Sequence, residues 1–151
     1  NIILQGGIDD VWFNTKTKEL IVVDYKSQAS PKKVSQDTYF DKSGYHESYK
    51  TQLDFYAYLM KGMNLEYGIS NDSYLYVVNG LDIEEGFNAE IKFSETLIHH
   101  KIGTDYLDHE IQNMIDTINS DKIPDSNKSC KNCAYARQRS VIDSLGDLNE
   151  K

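Results

Sequence analysis

A chain of 151 residues is long enough for about one domain with a substantial core. Hydrophobic residues at 39% and aromatics at 11% exclude a disordered chain, and no apolar run approaches the ~18 residues of a membrane span. A net charge of −8 argues against broad nucleic-acid binding, which rests on positive charge.

Asn1–Asn14 reads as two short extended pieces bent at Gly6-Gly7, or as one strand with a bulge there. Beyond the bend, Ile8, Asp10 and Trp12 share one face, and Asp9, Val11 and Phe13 the other. Thr15–Lys18 is a polar turn, so the next strand, Leu20–Lys26, pairs back as an antiparallel hairpin. Its β-branched run ends in Asp24-Tyr25-Lys26. Side chains alternate along a strand, so Asp24 and Lys26 point one way, about 7 Å apart, while Val23 and Tyr25 point the other. An acid and a lysine at that spacing suit a metal ligand beside a proton handler. Taken alone, the triplet is also what a solvated strand end looks like in a chain that is 26% charged.

Gln28–Gly44 lacks periodicity and reads as a long loop, of the kind that often carries function. A helix follows from about Tyr45, with Tyr49, Leu53, Tyr56, Met60 and Met63 as its apolar stripe and Gln52 on the same side as Tyr56. Ser73–Asn79 reads as a buried strand that joins the sheet after the helix crossover, and Gly86–Ser94 as a further strand with Phe87, Ala89, Ile91 and Phe93 on one face. Leu107, Ile111, Met114, Ile115 and Ile118 mark a second amphipathic helix over roughly 104–120. From about residue 124 a basic segment follows that contains Cys130 and Cys133. Between Ser126 and Ser140 it carries Lys128, Lys131, Arg137 and Arg139 and no acid, a local exception to the overall charge. The expectation is a single domain over 1–151 with this segment at its end. Two cysteines as C-x-x-C form no secreted disulfide framework, so a reducing cytoplasm is the expected setting.

Read in order, the motifs are G-x-I-D (Gly6, Ile8, Asp9), V-D-Y-K (Val23–Lys26) and Q-x-x-x-Y (Gln52, Tyr56) on the following helix. Each is weak alone. Together, in this order, they resemble the PD-(D/E)XK nuclease superfamily, specifically its RecB-like branch, which also includes CRISPR adaptation nucleases. The resemblance implies an α/β fold, a mixed central β-sheet flanked by helices in a restriction-endonuclease-like core. It implies a Mg²⁺- or Mn²⁺-dependent DNA nuclease, exonuclease-like, serving repair, recombination or phage replication. Asp9 and Asp24 would be the carboxylate ligands and the Tyr25 carbonyl a third oxygen, in keeping with the oxygen preference of hard cations. Lys26 would orient or deprotonate the attacking water and offset charge in the transition state. Gln52 and Tyr56 would face the site and hold water, lysine or substrate backbone, and Lys128, Lys131, Arg137 and Arg139 would meet phosphates.

Asp10, next to Asp9, falls outside the family's Gly-x-hydrophobic-acid spacing and reads as a structural or solvated acid. Two departures from the family stand out. An upstream helix supplying a histidine or glutamate has no counterpart before Asn1, which suggests a fragment. Relatives with an iron–sulfur cluster add a third late cysteine where this chain has Arg139. A cubane needs four thiolates, so no cluster is expected. A zinc site joining Cys130 and Cys133 to His99 or His100 is the lesser alternative. A non-catalytic nucleic-acid-binding scaffold of the same fold and an acidic protein-binding domain are the rival readings of function.

Overall fold

The structure, a computed structural model, describes residues 2–40, 44–81 and 89–146. They group into two compact units, Asn1–Asp108 and His109–Lys151.

The first unit is built on a five-stranded mixed sheet. Strand β1 (Asp10–Asn14) pairs antiparallel with β2 (Glu19–Ala29), with Asp10 opposite Val23 and Asn14 opposite Glu19. The turn between them is held by the Asn14 carboxamide, which accepts from the backbone N–H groups of Lys16 and Thr17. The expected hairpin is therefore present, but only its second half is strand on the N-terminal side: residues 2–8 are irregular and Asp9 sits in a bend. Strand β2 also runs past the expected end at Lys26, because Ser27, Gln28 and Ala29 pair with Val78, Asn79 and Gly80 of β4 (Asp72–Gly80). That pairing is parallel, so a crossover must return the chain to the same end of the sheet. Residues 30–71 supply it, and within them lie helix α1 (Gly44–Gly62) and the two-residue strand β3 (Gly68–Ile69), which pairs with Glu19 and Leu20. The helix stops where Gly62 is followed by Asn64 at φ 51°, a left-handed conformation that asparagine tolerates better than most residues.

Strand β5 (Phe93–Lys101) closes the far edge, antiparallel to β4. The strand expected over Gly86–Ser94 is thus displaced toward the C-terminus. Gly86 and Phe87 lie outside the described residues, Ala89 has φ 57°, and Ile91 and Phe93 are exposed. The apolar alternation of that stretch is a poor guide, because the ladder instead runs through Ser94–Lys101, whose mixed polarity suits a half-covered edge strand.

The core lies between one sheet face and α1. Val22, Leu75, Val77 and Ile98 meet Leu53, Tyr56, Ala57 and Met60, with Val34, Tyr39 and Ile102 completing the cluster. Of the expected helical stripe, Leu53, Tyr56 and Met60 are buried, whereas Met63 falls beyond the helix and is 64% exposed. Fully burying a leucine or isoleucine of this kind contributes about 1.5–3 kcal/mol. The loop after β2 is more structured than its composition suggests. It contains a short 3-10 helix (Gln36–Thr38), and the Gln36 carboxamide satisfies both main-chain groups of His99 on the open edge of β5, at 2.6 and 3.1 Å. Buried Asn79 anchors the same loop by donating to the carbonyls of Ser30 and Lys32.

The opposite sheet face carries an aromatic row, in which Trp12 stacks on Tyr74, Tyr74 meets His99, and Tyr25 meets Tyr76 edge-on. Helix α2 (Leu107–Ile118) starts at the end of the first unit with buried Leu107, and from His109 onward belongs to the second. Ile111 and Ile115 are half-buried, while Met114 and Ile118 are exposed. The basic segment includes a helix, α3 (Lys131–Gly146). Among the described residues no helix is long and apolar enough to cross a membrane.

Asp54 ties α1 to the end of β5. Its buried carboxylate lies 2.8 Å from His100 Nε2 and accepts from the Gly103 N–H at 2.9 Å and the Tyr106 hydroxyl at 3.1 Å. Asp54→Ala removes the partner of the His100 ring and of the Gly103 N–H and is expected to lower unfolding stability by about 3 kcal/mol, read as a drop in the urea midpoint. A loss below about 0.5 kcal/mol would show that water replaces the carboxylate there.

Candidate active site

Alternation along β2 puts Asp24 on the same face as Val22, so α1 closes over it and leaves it 2% exposed. A carboxylate in that position is poorly solvated. Burial pushes the Asp24 carboxyl above its ordinary value; Lys26 pulls it back, and neighbouring Asp9 pushes it up further. Lys26, two residues on, curls toward it: Nζ lies 2.5 Å from Asp24 Oδ2. The contact is an ion pair, in which the ammonium faces an oxygen otherwise buried among the core residues.

The ammonium is held from two further sides. It donates to Gln52 Oε1 at 3.0 Å and stands 4.5 Å from the centroid of the Tyr49 ring. An ammonium has no acceptor, so the Gln52 amide must turn its oxygen to Lys26, and its nitrogen then donates to the Tyr56 hydroxyl at 2.8 Å. The result is a chain from Asp24 through Lys26 and Gln52 to Tyr56, spanning strand and helix. Gln52 and Tyr56 are one helical turn apart, which is why both reach it.

Asp9 arrives from the bend before β1. Its Oδ2 accepts from the Tyr25 N–H at 2.9 Å, and its carboxylate stands near enough to Asp24 to push that group's pKa up. Two carboxylates so placed repel unless a proton or a cation lies between them. The structure therefore brings Asp9, Asp24, Lys26, Gln52 and Tyr56 together, with the Tyr25 main chain, next after Asp24, tied to Asp9 through its N–H. Asp10 faces away. It accepts from the Tyr25 hydroxyl at 2.6 Å, the Trp12 indole at 2.9 Å and the Val11 N–H at 2.8 Å. These bonds, the tyrosine's first, hold its carboxyl below the ordinary value, and they make it the structural acid of the pair.

The donor set suits a hard cation. Mg²⁺ is commonly held by one or two carboxylates and keeps several of its waters, so two acids and a backbone oxygen suffice. The buried Asp24 carboxylate with a second acid, Asp9, beside it is the observation that fits such an ion. Among the described residues no three His, Cys, Asp or Glu side chains gather as a metal site, so the fit rests on the acid pair alone. His99 and His100, the alternative partners for the cysteines, are engaged by Asp72 and Asp54, each at 2.8 Å.

Two residues that serve the arrangement carry little signal in the sequence. Tyr49 reads as one more stripe residue, although its place three residues before Gln52 puts it on the Lys26 side. Gly6 reads as a bend, but a Cβ there would come within 2.9 Å of the Tyr56 ring, so the first motif needs glycine to let the third motif's tyrosine stand. Lys128, Lys131, Arg137 and Arg139 are exposed and lie in the second unit, around the start of α3 and along it.

The sequence model of the PD-(D/E)XK nuclease superfamily matches residues 1–138. The chain belongs to this superfamily, whose members are in general metal-dependent nucleases acting on nucleic acid. No curated protein and no solved structure gives a significant match.

The raised Asp24 carboxyl has a defined consequence for stability in metal-free buffer. A group whose folded-state pKa is raised stabilises the fold fully below its unfolded pKa, and that contribution is lost as pH rises through the folded value. Asp24→Asn removes the loss. The stability of the variant relative to the parent is expected to grow between acid pH and neutrality in EDTA, measured as urea midpoints at each pH. A difference that is flat or shrinks would contradict a shift dominated by burial.

Proposed function

We propose that the chain is a divalent-metal-dependent DNA nuclease of the RecB-like branch, exonuclease-like, with Mg²⁺ or Mn²⁺ as its ion and repair, recombination or phage replication as its setting. One observation carries this reading: Lys26 Nζ is fixed between the Asp24 carboxylate and the Gln52 amide, with Asp9 alongside. A lysine serving only to neutralise a solvated strand end would not need a buried acid and a helix-borne amide to aim it.

Asp9, Asp24 and the Tyr25 carbonyl would hold the ion. When bound, the ion supplies Lewis-acid stabilisation of the phosphate and a water of lowered pKa. The chain's own residues then do the following. Lys26 Nζ, as an ammonium, orients the attacking water and offers hydrogen bonds to oxygens gaining negative charge. Gln52 holds Nζ from the helix side, and Tyr56 fixes the Gln52 amide. Lys128, Lys131, Arg137 and Arg139 give sequence-independent phosphate contacts, a local counterweight to the net charge of −8.

Cleavage of end-labelled single- and double-stranded DNA tests the reading. Wild-type chain is expected to cut in Mn²⁺ or Mg²⁺ and not in EDTA. Lys26→Ala is expected to lower the rate about 10²–10⁴-fold while circular dichroism shows an intact fold. A tenfold or smaller effect at saturating metal would reduce Lys26 to a neutralising partner and favour a binding scaffold.

Metal binding has an independent readout. A ligand bound only by the native state adds about 2.7 kcal/mol at 100 times its Kd. Mn²⁺ is therefore expected to raise the melting temperature of the parent and not that of Asp24→Asn. Equal shifts in both would place the ion elsewhere on the acidic surface.

A further inference from the structure

The candidate active site makes no use of Cys130 and Cys133. Cys130 is the residue before the first turn of α3, and its carbonyl accepts the first helical bond, from the Ala134 N–H at 3.0 Å. Its sulfur takes the place that a serine or aspartate oxygen takes at other helix starts, accepting from the Cys133 N–H at 3.2 Å. Both thiols are half-exposed. Asn127 fixes the approach: its side-chain oxygen accepts from the Ser129 N–H and hydroxyl, and its carbonyl from the Cys130 N–H. Arg137, roughly two turns along the helix, adds positive charge on the Cys130 side. Helical residues three apart have Cα atoms about 5 Å from each other, inside the window in which a disulfide closes without moving the backbone far.

We propose that Cys130 and Cys133 form a reversible dithiol–disulfide pair that exchanges with low-molecular-weight disulfides of the glutathione class, with Cys130 attacking and Cys133 resolving. The two sulfurs are unequal in the required sense. Hydrogen bonding from the Cys133 thiol, then from the Cys133 and Asn132 N–H groups, with Arg137 nearby, lowers the Cys130 thiol below its ordinary value; the same bond raises that of Cys133. The Cys130 thiolate attacks one sulfur of the external disulfide, which breaks that bond, forms a mixed disulfide and releases one small thiolate. Cys133 then attacks Cys130 Sγ, closing the internal disulfide and releasing the second small thiolate, which takes up the Cys133 proton. Two electrons pass from the protein dithiol to the small disulfide, which leaves as two thiols.

The full chain, equilibrated in buffers of graded reduced-to-oxidised glutathione ratio, acid-quenched, alkylated and weighed by mass spectrometry, tests this. Wild type is expected to pass directly from dithiol to internal disulfide. Cys133→Ser is expected to accumulate glutathione on Cys130, and Cys130→Ser is expected to remain largely unmodified on Cys133. In the reduced chain at neutral pH, iodoacetamide is expected to modify Cys130 more than tenfold faster than Cys133. The proposal is overturned if both serine variants accumulate the mixed disulfide equally, or if wild type carries glutathione without ever closing. It is equally overturned if purified chain retains zinc that shields both thiols from alkylation.

Discussion

Asp24 is a carboxylate on the core face of the central strand, and much of the first unit is arranged around that fact. It cannot turn outward, because Val22 two residues earlier must face the core and the strand alternates. It cannot be left open to water, because β2 and β4 are parallel and the crossover between them carries α1 over this face. A single unpaired charge there would be strongly destabilising, and the neighbouring polar groups bear on it. Lys26 folds back from the same face, Gln52 turns its amide oxygen to the lysine, and Tyr56 receives the amide's other end. Asp9 works against that balance. A fold selected for stability alone would not set a second acid beside a buried first one.

Helix α1 therefore has two duties on one side. Leu53, Ala57 and Met60 fill the core, while Tyr49, Gln52 and Tyr56, on neighbouring rows, steer the lysine. Tyr56 belongs to both groups, being 8% exposed and hydrogen-bonded through its hydroxyl. Its ring in turn leaves space at Gly6 only for a residue without a Cβ. The three motifs are thus one contact network: glycine before the first acid, acid and lysine on the second strand, glutamine and tyrosine on the helix.

The second unit follows a different logic. Its helices bury few large side chains, and its start of α3 is defined by Asn127 and Cys130 rather than by an apolar cluster. Local hydrogen bonds there set the unequal character of the two thiols without help from a core. The same stretch carries the chain's acid-free run of basic side chains, so its chemistry is distinct from that of the acidic body.

The grouping of Asp9, Asp24, Lys26, Gln52 and Tyr56 was implied by the family resemblance of three motifs in order. Local pattern was enough for the hairpin, for a strand joining the sheet after the helix crossover, and for the span of α1 to within a residue or two. Those features depend on periodicity and on short sequence separations, which a single chain displays directly. The sequence misled where pairing rather than propensity decides. The apolar alternation before Ser94 suggested a strand, yet β5 runs through the mixed-polarity Ser94–Lys101 because that segment finds β4 opposite it. The loop after β2 looked structureless, and its order comes from Gln36 on the β5 edge and from Asn79 beneath it, 63 and 47 residues away along the chain from the groups they bind. Only the tertiary structure separated Asp9 from Asp10 by environment, because adjacent acids differ solely in which way the bend turns them. It alone brought Tyr49 onto Lys26 and Tyr56 against Gly6, since those contacts exist only once the helix has packed across the sheet.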